Sequence, residues 1–159
     1  MYKAIEDLII ENARLIYKNF SGKEGKYNRA GDRNFGVVIE DPEQASALSA
    51  DGWNVRIIPA REEGDLPLHY IPVSISFDNI PPAVYMVTNK RMTVVDDNSI
   101  GTFDFAEMRN VDLVLRPYNW DVSGRTGVKA YVKTMYVTIN EDAFARKYDE
   151  YRSREEYQE

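Results

Sequence analysis

The stretch VDLVLRPYNWDVSGRTGVKAYVKTMYVTI, residues 111–139, decides the fold class of this chain. Its first part, 111–120, is rich in valine, leucine and aromatic residues, and its second part, 128–139, is mostly β-branched or aromatic. Both patterns are typical of β-strands. The SGRTG segment between them, residues 123–127, contains two glycines, which favour a tight turn. The stretch therefore predicts a long β-hairpin.

One face of this predicted hairpin combines cations with flat aromatic rings. Side chains alternate between the two faces of a strand, so Leu113 and Leu115 point away from this face. The residues that alternation assigns to it are Arg116, Tyr118, Trp120, Lys129, Tyr131 and Lys133. Rings of this kind stack on nucleobases and cations contact phosphates, which is typical of single-strand binding. Arg125, in the turn, and Arg33, on an earlier strand, complete the predicted phosphate contacts.

Short β patterns separated by turn residues also cover most of the remaining chain. Beyond the hairpin, the predicted strands are 12–20, 33–39, 53–58, 70–77, 83–88 and 92–96. So many short strands with few intervening helices predict a mainly β domain, built as a barrel or a sandwich.

Helical signals occur in four places. Asp7 could cap a short helix at the start of the chain, although the strand at 12–20 is favoured there. Asp41 is a suitable N-cap for a short helix that starts at Pro42 and stops before Gly52. A helical turn is predicted at 104–108, and a C-terminal helix at 141–151. The sequence therefore predicts one short internal helix and one terminal helix beside the strands.

The length and composition restrict the classes of protein. The 159 residues suit one domain, which we assign to residues 1–150, followed by a flexible acidic tail at 151–159. The absence of cysteine excludes disulfides and thiolate zinc sites, and a single histidine, His69, excludes a polyhistidine metal site. No catalytic motif, cofactor motif or membrane-spanning run occurs, so we predict a non-enzymatic cytoplasmic protein without cofactor or metal.

The charge distribution is uneven. The net charge is −6, yet residues 14–33 contain six basic and two acidic side chains, with aromatic residues among them. Residues 110–133 contain four basic and two acidic side chains, again with aromatics. This pattern favours nucleic acid binding. A structural or protein-interaction module stays open as the alternative, because cations also keep β-sheets soluble and aromatics also fill cores.

Several motifs together resemble a known family. They are KNFSG at 18–22, YNRAGDRNF at 27–35, DGWNVR at 51–56, RPYNW at 116–120 and GVKAYVK at 127–133. As a set they are similar to bacteriophage single-stranded DNA-binding proteins. The resemblance implies an OB-like barrel that coats single-stranded DNA during phage replication or recombination, in the cytoplasm of the host. The strands predicted within 83–96 are additional to a five-stranded OB-fold.

The same resemblance sets the expected partners. Single-stranded DNA is the predicted ligand, and RNA offers the same stacking and phosphate contacts. A homodimer and binding to replication or recombination proteins are compatible with the sequence, whereas a membrane partner is not expected.

Overall fold

A computed structural model describes residues 5–78, 80–89 and 91–140 of the chain. The described part is mainly β, as the sequence predicts. The elements are β1 (Leu8–Ile10), β2 (Leu15–Asn19), β3 (Arg33–Ile39), α1 (Pro42–Asp51), β4 (Arg56–Ile58), β5 (Leu68–Ile75), β6 (Ala83–Thr88), β7 (Arg91–Val95), a 3₁₀ helix (Ile100–Asp104), β8 (Met108–Val122) and β9 (Arg125–Ile139). The C-terminal helix and the acidic tail predicted from the sequence lie outside the described residues.

The two ends of the strand order are joined by the N-terminal segment of the chain. Neighbouring strands follow the order β1-β8-β9-β5-β3-β2, and β1 and β2 are consecutive in the chain. Between them, the Ala13 N–H donates to the Val111 carbonyl, and the Arg14 carbonyl accepts from the Val38 N–H. The N-terminal segment therefore bonds to both β8 and β3. With the parallel pair of β5 and β9, this gives the partly open five-stranded OB arrangement.

The additional strands widen this barrel on one side. β6 pairs in parallel with the second half of β9, beyond the point where β5 leaves it, and β7 pairs with β6. β4 pairs with β5. The extra strands expected near residues 83–96 are confirmed, and they continue the barrel sheet because β6 pairs with β9.

The core fills the inside of the barrel. Alternation holds along β8, where Leu113 and Leu115 are buried. Phe20 and Phe35 approach with ring centroids 5.5 Å apart, and Phe20 meets Phe103 of the 3₁₀ helix edge-on at 5.6 Å. The edge-on aromatic pair is worth about 0.5–1.5 kcal/mol beyond its buried area. These contacts join the barrel wall to the 3₁₀ helix.

The helix α1 begins and ends where its capping residues predict. The Asp41 side chain accepts from the Glu43 N–H at the start, and Gly52 adopts a left-handed φ of 109° at the end. The strand predicted at 53–58 is shorter than expected, because the Trp53 N–H donates to the Leu48 carbonyl and so belongs to the helix end. Trp53 is 4% exposed and fills the core.

Three element boundaries differ from the sequence prediction. The strand predicted at 12–20 is shortened to β2, because Asn12 has a positive φ of 50° that interrupts extended backbone, and β1 lies before the predicted range. Within β2, Tyr17 has a positive φ of 52°, where the register with β3 shifts. The helical turn lies at Ile100–Asp104 rather than 104–108. The hairpin turn shrinks to Ser123 and Gly124, both with positive φ as two-residue hairpin turns require.

No helix in the described ranges is long and apolar enough to cross a bilayer.

Candidate nucleic-acid interface

The β8–β9 hairpin brings five of the predicted binding residues together. Its register places Arg116 opposite Tyr131, Tyr118 opposite Lys129, and Trp120 opposite Gly127. Residues that face each other across two strands share one side of the sheet, here the side away from the barrel core. The predicted combination of aromatic rings and cations is therefore present as one surface.

Tyr131 is the centre of this surface. The Tyr118 ring meets it edge-on, with centroids 6.0 Å apart. The Arg116 guanidinium carbon lies 5.5 Å from the Tyr131 ring centroid, and the Lys129 Nζ lies 5.1 Å from it. Each cation is held by the ring quadrupole, which contributes about 0.5–1 kcal/mol at exposed sites. Two cations and two rings are thus fixed beside each other before any ligand arrives.

Trp120 lies against the backbone of the opposite strand. A Cβ atom placed on Gly127 would be 2.6 Å from Cζ2 of the Trp120 indole. Only glycine leaves room for this contact, since real Cβ atoms keep a greater distance. The indole remains 36% exposed, and Tyr118 is 50% exposed, so both rings are accessible.

Arg125 is the first residue of β9 and pairs with Val122 beside the two-residue turn. It is exposed at the tip of the hairpin, where the sequence places it. The tip therefore adds a positive charge beyond Trp120.

Arg33 reaches the same region from another strand. Its Nε donates to the Phe20 carbonyl and its Nη2 to the Asp97 carbonyl, both at 3.0 Å. Arg33, Lys129 and Tyr131 line a common groove of about 270 Å³. The guanidinium therefore shapes the groove wall through backbone contacts, in addition to contributing its charge.

Lys133 differs from the other predicted cations. Its Nζ donates to the Asp7 carboxylate at 2.7 Å, and both side chains are partly exposed. The adjacent register shift, where Leu115 pairs with Val132 and Val114 with Thr134, places Lys133 in a bulge. The carboxylate offsets its charge, so Lys133 offers a phosphate less attraction than Lys129 does.

Polar residues that sequence reasoning missed extend this surface across the barrel. Ser74 pairs with Tyr131, Asn34 with Ser74, and Asn19 with Asn34. Starting from Arg116, one row of side chains therefore crosses five strands. Single polar residues such as Ser74 carry no pattern in the sequence, and only the strand pairing reveals them.

A second aromatic pair lies on the neighbouring strands. Tyr17 of β2 and Tyr70 of β5 meet edge-on with centroids 5.7 Å apart, and Tyr17 is 65% exposed. Between their strands, a Cβ on Gly36 would be 2.9 Å from the Tyr70 ring. The sequence signal for Tyr17 was its position within the basic segment 14–33.

The basic loop between β2 and β3 flanks the groove and is anchored at its start. The Asp104 carboxylate accepts from the Phe20 N–H at 2.7 Å and from the Ser21 N–H at 2.9 Å. Farther along, the Asn28 side chain donates to the carbonyls of Lys23, Arg29 and Asp32. Exposed cations of this loop are therefore held close to the groove, which Arg29 helps to line.

Within the described ranges, no group of three or more acidic or histidine side chains is placed to hold a metal ion. The carboxylate of Asp96, which precedes Asp97 in the sequence, accepts from the backbone N–H groups of Asn98 and Ser99. It therefore stabilises a turn.

Solved structures with a similar fold include a protein of bacteriophage Enc34. The single-stranded DNA-binding protein from bacteriophage Enc34 in complex with ssDNA superposes with a TM-score of 0.55 at 10% identity, over 87% of this chain and 89% of that chain. A C-terminal truncation of the same protein superposes with a TM-score of 0.52 at 12% identity, over 86% of this chain and 87% of that chain. At these identities the likeness establishes the fold.

Sequence comparison establishes the family. No curated protein sequence gives a significant match. A family model described as "Putative phage ssDNA-binding domain" matches residues 1–157. Since the match spans nearly the whole sequence, the chain belongs to this family of phage ssDNA-binding domains.

Proposed function

We propose that this chain binds single-stranded DNA without catalysis and with little sequence preference. The observation that carries the proposal is the surface around Tyr131, where Tyr118, Arg116 and Lys129 are held within about 6 Å on an OB-like barrel. Membership of a phage ssDNA-binding family supports it. A fold shared with a phage protein solved in complex with ssDNA supports it further.

In the proposed complex, bases stack on the exposed rings and phosphates meet the neighbouring cations. Tyr118, Tyr131 and Trp120 supply the rings, at about 1–3 kcal/mol per stacked base. Arg116 and Lys129 supply the charges beside them. These contacts read no base edge, so we expect little sequence preference.

The positions of the rings, the cations and the groove suggest a path for the DNA strand over the protein surface. From the hairpin, the DNA runs across β9 and along the groove lined by Arg33 and Lys129, towards the basic loop at residues 20–32. OB-folds use this barrel face and its flanking loops for oligonucleotides. The Tyr17–Tyr70 pair lies farther along the same barrel wall and would accept a further base.

The biological setting that we propose is phage DNA replication or recombination in the host cytoplasm, with proteins of those processes as partners. Residues 1–150 would act as one binding domain. RNA would bind through the same rings and cations, more weakly wherever the 2′-hydroxyl disturbs the contact with a ring. A second copy of the chain is a further proposed partner.

The test is fluorescence anisotropy with a labelled dT oligonucleotide of about 30 nucleotides, titrated at low and moderate salt, with a duplex of equal length as the control. We expect tight, salt-sensitive binding to the single strand and weak binding to the duplex. Absence of binding at about 50 mM salt would overturn the proposal and leave a structural or protein-interaction role.

A further inference from the structure

The strand β7 is an edge without the usual protection. Among the described residues it pairs only with β6. Natural edge strands are normally blocked by charge, proline or a bulge. The centre of β7 carries none of these: it is Met92, Thr93 and Val94, with Met92 62% exposed and Val94 71% exposed.

The apolar surface continues from this edge onto the sheet. Val94 pairs with Tyr85 on β6, and Tyr85 pairs with Tyr136 on β9. The two tyrosine rings stack with centroids 5.0 Å apart and planes 17° apart. Tyr136 is 39% exposed. Exposed apolar residues therefore form a contiguous patch that reaches the open edge, which is typical of interaction surfaces.

The hairpin register decides which backbone groups face outwards. Thr88 and Arg91 pair as the last residues of the ladder, with two residues between them in the chain, and pairs that exchange backbone hydrogen bonds alternate from there along an antiparallel ladder. Thr93 therefore bonds towards β6, whereas Met92 and Val94 direct their N–H and C=O groups away from it. An antiparallel strand centred on Thr93 would pair with these groups.

The two ends of β7 have opposite charges. Arg91 lies at the start of the strand, and Asp96 and Asp97 follow directly after its end. A two-fold axis through Thr93 brings Arg91 of each copy close to the Asp96–Asp97 end of the other. It also brings Met92 of each copy opposite Val94 of the other, so both charge and apolar character are self-complementary.

We propose that β7 pairs antiparallel with β7 of a second copy of this chain, with the two-fold axis at Thr93, and so forms a reversible homodimer. The dimer sheet would run from β9 through β6 and β7 into the second copy. The paired edge is short, so its area is at the low end for protein interfaces and the association depends on concentration.

Sedimentation equilibrium of the full chain without DNA tests the dimer. The weight-average mass should rise from 18.3 kDa towards twice that value between low micromolar and sub-millimolar protein. Val94→Lys should hold the mass at the monomer value without changing the melting temperature, because Val94 is exposed. A monomeric wild-type chain over the whole range would overturn the proposal.

Two charge-reversal variants test the register of the proposed β7–β7 pairing. Asp97 is the acidic residue to change, because the Asp96 carboxylate accepts hydrogen bonds within its own turn. Arg91→Glu and Asp97→Lys should each weaken self-association by at least about tenfold, since each places like charges together. Mixed in equal amounts, the two variants should form a heterodimer, in which each residue 91 lies close to a residue 97 of opposite charge. Failure of the mixture to associate, or unchanged self-association of either variant, would contradict this register.

Discussion

At the residue scale, the proposed binding depends most on Tyr131. We expect Tyr131→Ala to weaken binding to dT by about 5- to 150-fold, the loss of one stacked base at about 1–3 kcal/mol. The melting temperature should change little, because Tyr131 lies on the outer side of the sheet. Anisotropy and thermal denaturation measure the two effects. Tyr136→Ala is the matched control, on the same strand but outside the groove, and should leave DNA affinity unchanged.

Gly127 supports the proposed site through Trp120. Gly127→Ala places a Cβ about 2.6 Å from the indole, so the ring must move. We expect weaker dT binding and a red shift of the Trp120 emission, which is separable because the only other tryptophan, Trp53, is buried. Thr126→Ala is the control. An unchanged emission spectrum would show that the indole does not rest on Gly127.

Sequence reasoning identified residues on this surface wherever alternation alone decides the direction of a side chain. Arg116, Tyr118 and Tyr131 are examples. Local patterns give no sign that Arg33 bonds to the Asp97 carbonyl, because that contact joins residues 64 positions apart. The ion pair of Lys133 with Asp7 joins residues 126 positions apart, so local sequence patterns do not predict it either.

At the scale of elements, β9 carries two lysines in different surroundings. Lys129→Gln should reduce the slope of log affinity against log salt by about 0.7, the value for one phosphate contact on a single strand. Lys133→Gln should leave the slope nearly unchanged, because Asp7 already offsets that charge. Anisotropy titrations at several salt concentrations measure both slopes. Equal effects of the two substitutions on the slope would show that the ion pair with Asp7 does not keep Lys133 from contacting phosphate.

The loop between β2 and β3 depends on Asp104. Asp104→Asn replaces one carboxylate oxygen, which accepts from a backbone N–H, with an amide NH₂ donor that faces the N–H of Phe20 or Ser21. We expect a loss of about 1–3 kcal/mol in the free energy of unfolding and weaker dT binding. Urea denaturation and anisotropy measure these changes, with Asp121→Asn in the exposed hairpin as the control. Stability equal to that of the wild type would mean that the loop is held by its other bonds.

Elements with strong local signals were predicted best. β3 and α1 match because hydrophobic alternation and capping residues are encoded within a few positions. The sequence predicts a strand at 12–20 but not β1, because three residues carry too short a pattern to assign, and the positive φ of Tyr17 leaves no mark in the residue type. The 3₁₀ helix was misplaced, since short helices of this kind are set by tertiary contacts such as those of Phe103.

At the scale of the whole molecule, the added β6–β7 hairpin shares the barrel core. Val84 and Val95 are 1% and 5% exposed. Val84→Ala should lower the free energy of unfolding of the entire domain by about 1.5–3 kcal/mol, in one cooperative transition. Val122→Ala, at a 63% exposed position, should have little effect. A separate, earlier transition in Val84→Ala would show that the hairpin unfolds independently.

Fold class could be predicted from the sequence, but strand order could not. The parallel pairing of β5 with β9 rests on two residue pairs, Val73–Ala130 and Ser74–Tyr131. Nothing local to either strand specifies such a partner. The OB-like expectation came from family resemblance, and the row of polar residues across five strands became visible only with this pairing.

The closure of the barrel by its first strand has a consequence for synthesis on the ribosome. The Asn12 N–H finds its acceptor on Asp112, 100 residues later. At roughly 5–20 residues per second, β1 emerges about 5–20 s before β8 can be made. During that interval β2, β3 and β5 are made in turn and can pair with one another, while β1 stays without its partner strand. The barrel can therefore close only late in translation, when β8 and β9 have left the exit tunnel.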